Sequence, residues 1–218
     1  MNKVIDTNII RKVISTLNEL VVDRGFQKIN EKFSEEKLQK FLKTKNMEFE
    51  HEHFTFHFLY NNKPNKKRTK SNFQKIIKNT ESEDETKNII FVIFWDHINM
   101  QNKYEHFYSE DIFTLENDKI QIFKFKNLVF NITKHSLVPK HEKVPEKEIK
   151  NLLLKLMISK LSQFPTLLTT DPICKYYNFK VNDLIKISRT SNGNTHTFYR
   201  CVNNPGDNLN PSDLNGYE

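Results

Sequence analysis

The sequence predicts an α/β N-terminal domain, with helices around a small sheet, followed by a small α+β domain ending in a β-hairpin. Three observations carry that expectation. Apolar residues recur at helical spacing from Ile9 to Val21, where each turn returns a side chain to the same face. Two segments, Met47–Tyr60 and Ile89–Trp95, read as strands, the first alternating and the second continuously apolar. From His135 onward the texture changes to short, proline-punctuated elements that close on Asn192-Gly193, a pair suited to a tight hairpin turn.

Taken in order, the first helix holds Ile9, Ile10, Val13, Ile14, Leu17, Leu20 and Val21 on one face. Asp6 or Thr7 is available as its N-cap, and Gly25 stands where a left-handed C-cap would end it. Ser34 caps a second helix whose first turn carries Glu35 and Glu36, with Leu38, Phe41 and Leu42 on its apolar face. Met47–Tyr60 is expected as one strand, with Phe54, Phe56, Phe58 and Tyr60 on one side and His51, His53, Thr55 and His57 on the other. A basic loop, Lys63 to Lys70, follows. A short helix over Ser71–Lys78 and an acidic turn at Glu81–Glu85 then lead to the buried strand Ile89–Trp95. A helix over Asn99–Phe107 and β segments at Lys119–Phe125 and Leu128–Thr133 complete a three-layer domain over roughly residues 1–130.

In the second domain, Pro145 suits the first turn of a helix running through Glu146, Ile149, Leu152, Leu153, Leu156 and Met157. Asp171-Pro172 reads as N-cap plus first helical position of a short helix ending near Tyr177. Leu184–Ser188 and Thr197–Val202 are the hairpin strands. The segment 203–218, rich in Asn, Pro, Gly and Asp, reads as a disordered tail.

Composition narrows the class. The chain has 218 residues, 37% hydrophobic and 28% charged, in the range of ordinary globular proteins. Ile89–Trp95, its longest apolar run, is too short to span a bilayer, and no signal peptide is visible at the N-terminus. Cys174 and Cys201 form neither a CxxC pair nor a disulfide framework, so a reducing, intracellular setting is expected. Alanine is absent while Asn, Lys, Ile and Phe abound, the signature of translation from an AT-rich genome. The net charge of +7 is uneven: residues 131–202 hold 12 Lys+Arg against 5 Asp+Glu, and residues 203–218 hold three acids and no base. Such a charge suits contact with nucleic acid and, equally, with acidic protein partners.

Several constellations invite chemistry. His51, His53 and His57 on one strand face are metal-ligand types, though a solvated sheet face explains them as well. Asp96 at a strand end suggests a nuclease. However, the Glu-x-Lys triplet nearest to it, Glu85-Thr-Lys87, precedes Asp96 and sits in an expected loop. There is no GxSxG, no Gly-rich phosphate loop, and neither cysteine adjoins a histidine in sequence. No catalytic residue, metal or cofactor is expected; the pattern is that of a binding or scaffolding protein. Lys63, Lys66, Lys67, Arg68 and Lys70 form a loop suited to phosphate contact, to an import-like patch, or simply to solvation.

The segment Asn131-Ile-Thr-Lys-His-Ser-Leu-Val-Pro-Lys-His141 is similar to the opening of the assembly domain of the fifth subunit shared by eukaryotic nuclear RNA polymerases, a domain that the corresponding archaeal polymerase subunit also has. The similarity continues, in the family's order and spacing, through Phe164-Pro165, Asp171-Pro-Ile-Cys-Lys-Tyr-Tyr177, Leu184-Ile-Lys-Ile-Ser-Arg189 and Thr197-Phe-Tyr-Arg200. Upstream, Arg11-Lys-Val-Ile14 and Asp23-Arg-Gly-Phe26 resemble the first helix of the family's N-terminal jaw, which the archaeal subunit lacks. Two departures stand out. Asn178 takes the place of a usual glycine, and Val181-Asn-Asp183 takes the place of a usual Arg-Gly-Gln, which keeps the turn and loses an arginine.

The resemblance implies a non-catalytic polymerase subunit that docks on the largest subunit through residues 131–202 and projects a jaw, residues 1–130, toward downstream duplex DNA. With the AT-rich composition it points to a eukaryotic or viral lineage, a large DNA virus being favoured. Virion and host cytoplasm, or the nucleus of a cellular source, would be its locations. Carried onto this chain, the docking residues are Pro139, Lys140, His141, Asp171, Pro172, Tyr176, Lys186, Arg189 and Arg200. Pro139, Pro165, Asp171 and Pro172 also read as plain fold determinants. Lys63, Lys66, Lys67, Arg68 and Lys70 are the DNA-contact candidates. The alternative is a free-standing DNA-binding transcription factor on the same fold; an inactive nuclease relative is the third reading.

Overall fold

Asp6 starts the first helix, α1 (Thr7–Asp23), by accepting from the Ile9 N–H at 2.9 Å. In the computed structural model, which describes residues 5–60, 75, 87–94, 119–191 and 193–205, the chain divides into two compact units, Met1–Phe130 and Asn131–Glu218. Helix α1 ends as expected at Gly25 (φ +89°): the Phe26 N–H returns to the Val21 carbonyl and the Gly25 N–H to that of Val22. Ser34 caps α2 (Glu35–Thr44). Arg11 of α1 reaches Glu35 of α2 at 2.8 Å, and the guanidinium holds that carboxyl below its ordinary range.

The first unit is built on a sheet of order β1-β2-β3-β4, comprising β1 (Asn46–His51), β2 (Phe54–Tyr60), β3 (Asn88–Phe94) and β4 (Ile120–Lys124). The pair β1/β2 is antiparallel; β2/β3 and β3/β4 are parallel. Both faces of β2 and β3 are buried, which explains the near-continuous apolar sequence of β3 and leaves Thr55 and His57 of β2 buried among apolar neighbours. On one face Phe41 of α2 meets Phe58 and Phe94 edge-on, and Phe49 stacks on Phe56. Fully burying such side chains contributes about 1.5–3 kcal/mol each.

Met47–Tyr60 is not the single strand that its alternation suggests. It reverses at Glu52 (φ +45°) and His53 to make the β1/β2 hairpin. A two-residue reversal inverts parity, because odd positions of β1 stand opposite even positions of β2. His51 therefore shares a face with Phe54, and His57 lies on the opposite face, stacked on Phe91. The reading of three histidines on one strand face is overturned, and no metal-ligand cluster occurs among the described residues. A second correction concerns Leu128–Thr133, expected as a strand. That region holds 3₁₀ turns at Phe125–Asn127 and Ile132–Lys134, and the Asn131 carboxamide accepts from Thr133 N–H and Oγ1. Local bonding by Asn outcompetes the ladder there. Apart from Lys75, which is helical, the expected elements at 61–86 and 99–107, Trp95 and Asp96 fall outside the described residues. The disordered tail expected over 203–218 is corrected at its start, where Asn203 is buried and paired with Leu168 in a strand, and its part from residue 206 lies outside the described residues.

The second unit carries a sheet of order β5-β7-β8-β6, formed by β5 (Lys140–Lys143), β6 (Thr166–Leu168), β7 (Leu184–Ser191) and β8 (Asn194–Asn203). One face packs Leu184 and Cys201 against Val144, Ile149, Leu161 and Phe164, around α3 (Glu146–Leu156). The other packs Ile185, Ile187 and Val202 against Leu167 and Cys174 of α4 (Pro172–Tyr177). Pro145 is the N-cap residue of α3 rather than its first helical one. Met157 lies past the helix end in a left-handed conformation (φ +55°), not within it as its spacing suggested. Asn178 (φ +57°) and Asn182 (φ +70°) hold the two turns where the family's glycines were expected. The unit is α+β and rich in strand.

Candidate partner-docking face

The hairpin register decides which side chains share a surface. The pairing of Ser191 with Asn194, with Gly193 at φ +78°, sets Ile187 opposite Phe198, Arg189 opposite His196 and Ile185 opposite Arg200. Strand β5 adds His141 beside Ile187 and Lys143 beside Ile185. Directly opposed residues point to the same face. One face of the sheet thus carries Arg189, His196, Phe198, Arg200 and His141 around Ile187.

Near its base this face is covered by α4; toward the tip it is open. Ile187 is 8% exposed, whereas its cross-strand neighbour Phe198 is 55% exposed. An aromatic ring standing free between a histidine and an arginine is the residue mix enriched at interface anchors. Arg200 is fixed by donating to the Thr166 carbonyl at 2.9 Å. His141 Nδ1 lies 2.8 Å from the Pro139 carbonyl. A carbonyl can only accept, so Nδ1 carries the proton and Nε2 remains for another partner.

The other residues singled out in the sequence fall elsewhere. Asp171 caps α4 through the Ile173 N–H (2.8 Å), with Pro172 at the first helical position. Tyr176 is 2% exposed, and its hydroxyl accepts from Asn131 Nδ2 at 2.9 Å. These three hold the unit together internally. Lys140 pairs with Glu142 at 2.7 Å, and Lys186 projects from the opposite sheet face into a groove beside α3. Lys63, Lys66, Lys67, Arg68 and Lys70 lie outside the described residues. The motif-based reading passes over Phe198 and His196. The signal is present, since His196, Phe198 and Arg200 alternate along β8 with the period of a strand.

Nothing on this face points to covalent chemistry. Burial pushes the Cys174 thiol up to about 12 and the Cys201 thiol up to about 11, which leaves both as apolar filler. Among the described residues no helix is long and apolar enough to cross a membrane.

Comparison with known proteins bears on this unit. Residues 130–202 match the family model described as RNA polymerase Rpb5, C-terminal domain. The chain is 40% identical over 74 residues to DNA-directed RNA polymerase subunit Rpo5 of Methanosarcina barkeri, covering 34% of this chain and 94% of that protein. It is 35% identical over 85 residues to the Arabidopsis thaliana protein DNA-directed RNA polymerases IV and V subunit 5B, covering 38% of each. Against the Dictyostelium discoideum protein DNA-directed RNA polymerases I, II, and III subunit rpabc1 it is 37% identical over 98 residues, covering 44% of this chain and 47% of the other. The match thus takes in nearly all of the archaeal protein and less than half of the eukaryotic ones.

Proposed function

Because the chain belongs to the RNA polymerase subunit 5 family, we propose that it is a non-catalytic subunit of a multisubunit DNA-directed RNA polymerase. In this reading the second unit docks on the largest subunit, and the first acts as a jaw beside downstream duplex DNA. The observation that carries the docking role is the open hairpin face on which Phe198 stands between His196 and Arg200, with Arg189 across the strand pair. An exposed ring of that size is costly to leave in water and typical of a buried interface centre. His141 and Arg200, both fixed through backbone carbonyls, present an acceptor (His141 Nε2) and the remaining guanidinium donors at little entropic cost. The AT-rich composition supports a viral source, with the virion and host cytoplasm as the places of action.

The test is co-purification. The full chain carrying Phe198→Ala with Arg189→Ala is expected to lose the large polymerase subunits while keeping the wild-type melting temperature, because neither side chain belongs to a core cluster. Retention of those subunits by the double variant would move the docking surface off the hairpin. Retention of DNA binding by the isolated chain, with no polymerase subunit recovered from its native host, would favour the free-standing transcription factor.

A further inference from the structure

The opposite face of the same sheet holds a groove. Register places Glu142, Lys186 and Tyr199 in one row across β5, β7 and β8. Glu148, Leu152 and Lys155 follow the i, i+4, i+7 spacing that puts them along one flank of α3. Row and flank face each other across a groove of about 530 Å3. Lys155 stands roughly 10 Å further along the helix than Glu148, from a rise of about 1.5 Å per residue.

Among the described residues, the charges of this groove are not all answered. Glu142 is held by Lys140 (2.7 Å), and Lys143 by Asp183 (2.6 Å). Among the described residues, the side chains of Lys155, Lys186 and Glu148 make no hydrogen bond or ion pair. The groove therefore offers two ammonium groups and a single carboxylate beside Leu152, Val144 and the Tyr199 ring. Over all its charged lining residues it carries three lysines against two glutamates. That balance is too small for a polyanion: a nucleic-acid backbone would bring Glu142 and Glu148 against its phosphates. A short peptide suits it better, placing a carboxylate near the unpaired lysines and an aliphatic side chain on Leu152.

We propose that this groove docks a short acidic segment of a partner protein, one in which carboxylates alternate with aliphatic side chains. It is a different surface from the hairpin face, on the other side of the sheet, so two partner segments can be held at once.

The probe is a dye-labelled peptide with blocked ends, alternating Asp and Leu. It is titrated into the full-length chain by fluorescence anisotropy, beside a Lys/Leu peptide and an oligo-dT strand of equal length. Saturable binding of the Asp/Leu peptide is expected, weakened about tenfold, or about 1.4 kcal/mol, by Lys155→Glu with Lys186→Glu. The same double variant should gain binding to the Lys/Leu peptide, an outcome that a misfolded protein cannot give. No binding of the Asp/Leu peptide, or charge reversal without effect, overturns the proposal. Tighter binding of oligo-dT, abolished on charge reversal, would make this a nucleic-acid site instead. A tighter hold on the peptide after removal of residues 206–218 would make the chain's own acidic segment the occupant. No polymerase subunit enters the measurement, so its failure leaves the hairpin docking proposal standing.

Discussion

His57 makes the stability of the first unit depend on pH, with a sign and a size that follow from its surroundings. The ring is 2% exposed, stacked on Phe91 at 5.0 Å, and among the described residues its Nε2 has no hydrogen-bond partner. Burial pushes its pKa from the ordinary 6.5 down to about 4, and the nearby Glu50 carboxylate opposes that only in part. Glu48, half-exposed at 3.4 Å from Nδ1, is the other acid facing it. A histidine that is buried neutral binds fewer protons folded than unfolded. Stability is therefore full above the unfolded pKa and is lost as pH falls through 6.5 toward 4. Linkage with those two values gives a loss of about 2 kcal/mol from about pH 8 to about pH 5, and about 3 kcal/mol once both states are protonated.

Urea unfolding followed at several pH values measures this directly. His57→Phe keeps a flat ring against Phe91 and removes the titration; His57→Gln removes it while keeping polarity. Both variants should unfold with a midpoint nearly independent of pH from about 5 to about 8, while the wild type loses the calculated amount. Equal pH dependence in all three proteins would mean that other groups set the acid limit, and that the burial argument for His57 is wrong.

Two further outcomes follow, one from a buried side-chain pair and one from the proposed DNA contacts. Tyr176→Phe removes the hydroxyl that accepts from the buried Asn131 Nδ2, and loss of that hydrogen bond should destabilise the second unit by about 0.5–1.5 kcal/mol; no measurable change in chemical denaturation would show that the hydroxyl is dispensable. Replacing Lys66, Lys67 and Arg68 with Ala should weaken the assembled polymerase's hold on downstream duplex at low salt, regardless of sequence, and lower the salt slope by roughly 0.9 for each phosphate no longer neutralised. Unchanged affinity and slope in that triple variant would place any DNA contact of the jaw elsewhere.

The sequence was most legible where local chemistry alone decides the geometry. Asp6, Ser34 and Asp171 cap the helices they were expected to cap, and Gly25, Asn178 and Gly193 take the positive φ expected of them. What failed was parity. Alternation from Met47 to Tyr60 is the same whether the chain runs straight or folds back through two residues, so periodicity could not reveal the reversal at Glu52-His53. Those positions lack the Asn-Gly signal that marked the other hairpin at 192–193. Leu128–Thr133 misled for a related reason: its apolar residues look strand-like, but the Asn131 side chain binds the backbone locally. The motif singled out residues one at a time, and their grouping on a face was not legible. Sequence order cannot say that His141 and Phe198 flank Ile187 while Lys186 turns away.

That grouping is also what makes the second unit a two-sided device. Side chains alternate along β8, so Tyr199 belongs to the groove while Phe198 and Arg200 belong to the open face. A slip of one residue in the β7/β8 pairing would exchange them. The register is pinned at both ends. At the tip, Gly193 supplies the positive φ that the turn needs, with no atom within 4 Å of an added Cβ, so its constraint is conformational rather than one of space. At the base, the Asn182 N–H bonds to the Val202 carbonyl at 2.9 Å, Cys201 N–H to that of Pro165 at 3.0 Å, and Lys143 reaches across to Asp183. Cys201 and Val202 then point into the two different cores. Slippage would put Cys201 into the α4 side and Val202 into the α3 side, disturbing both clusters at once. The packing that stabilises the unit is therefore the same packing that keeps its two surfaces apart.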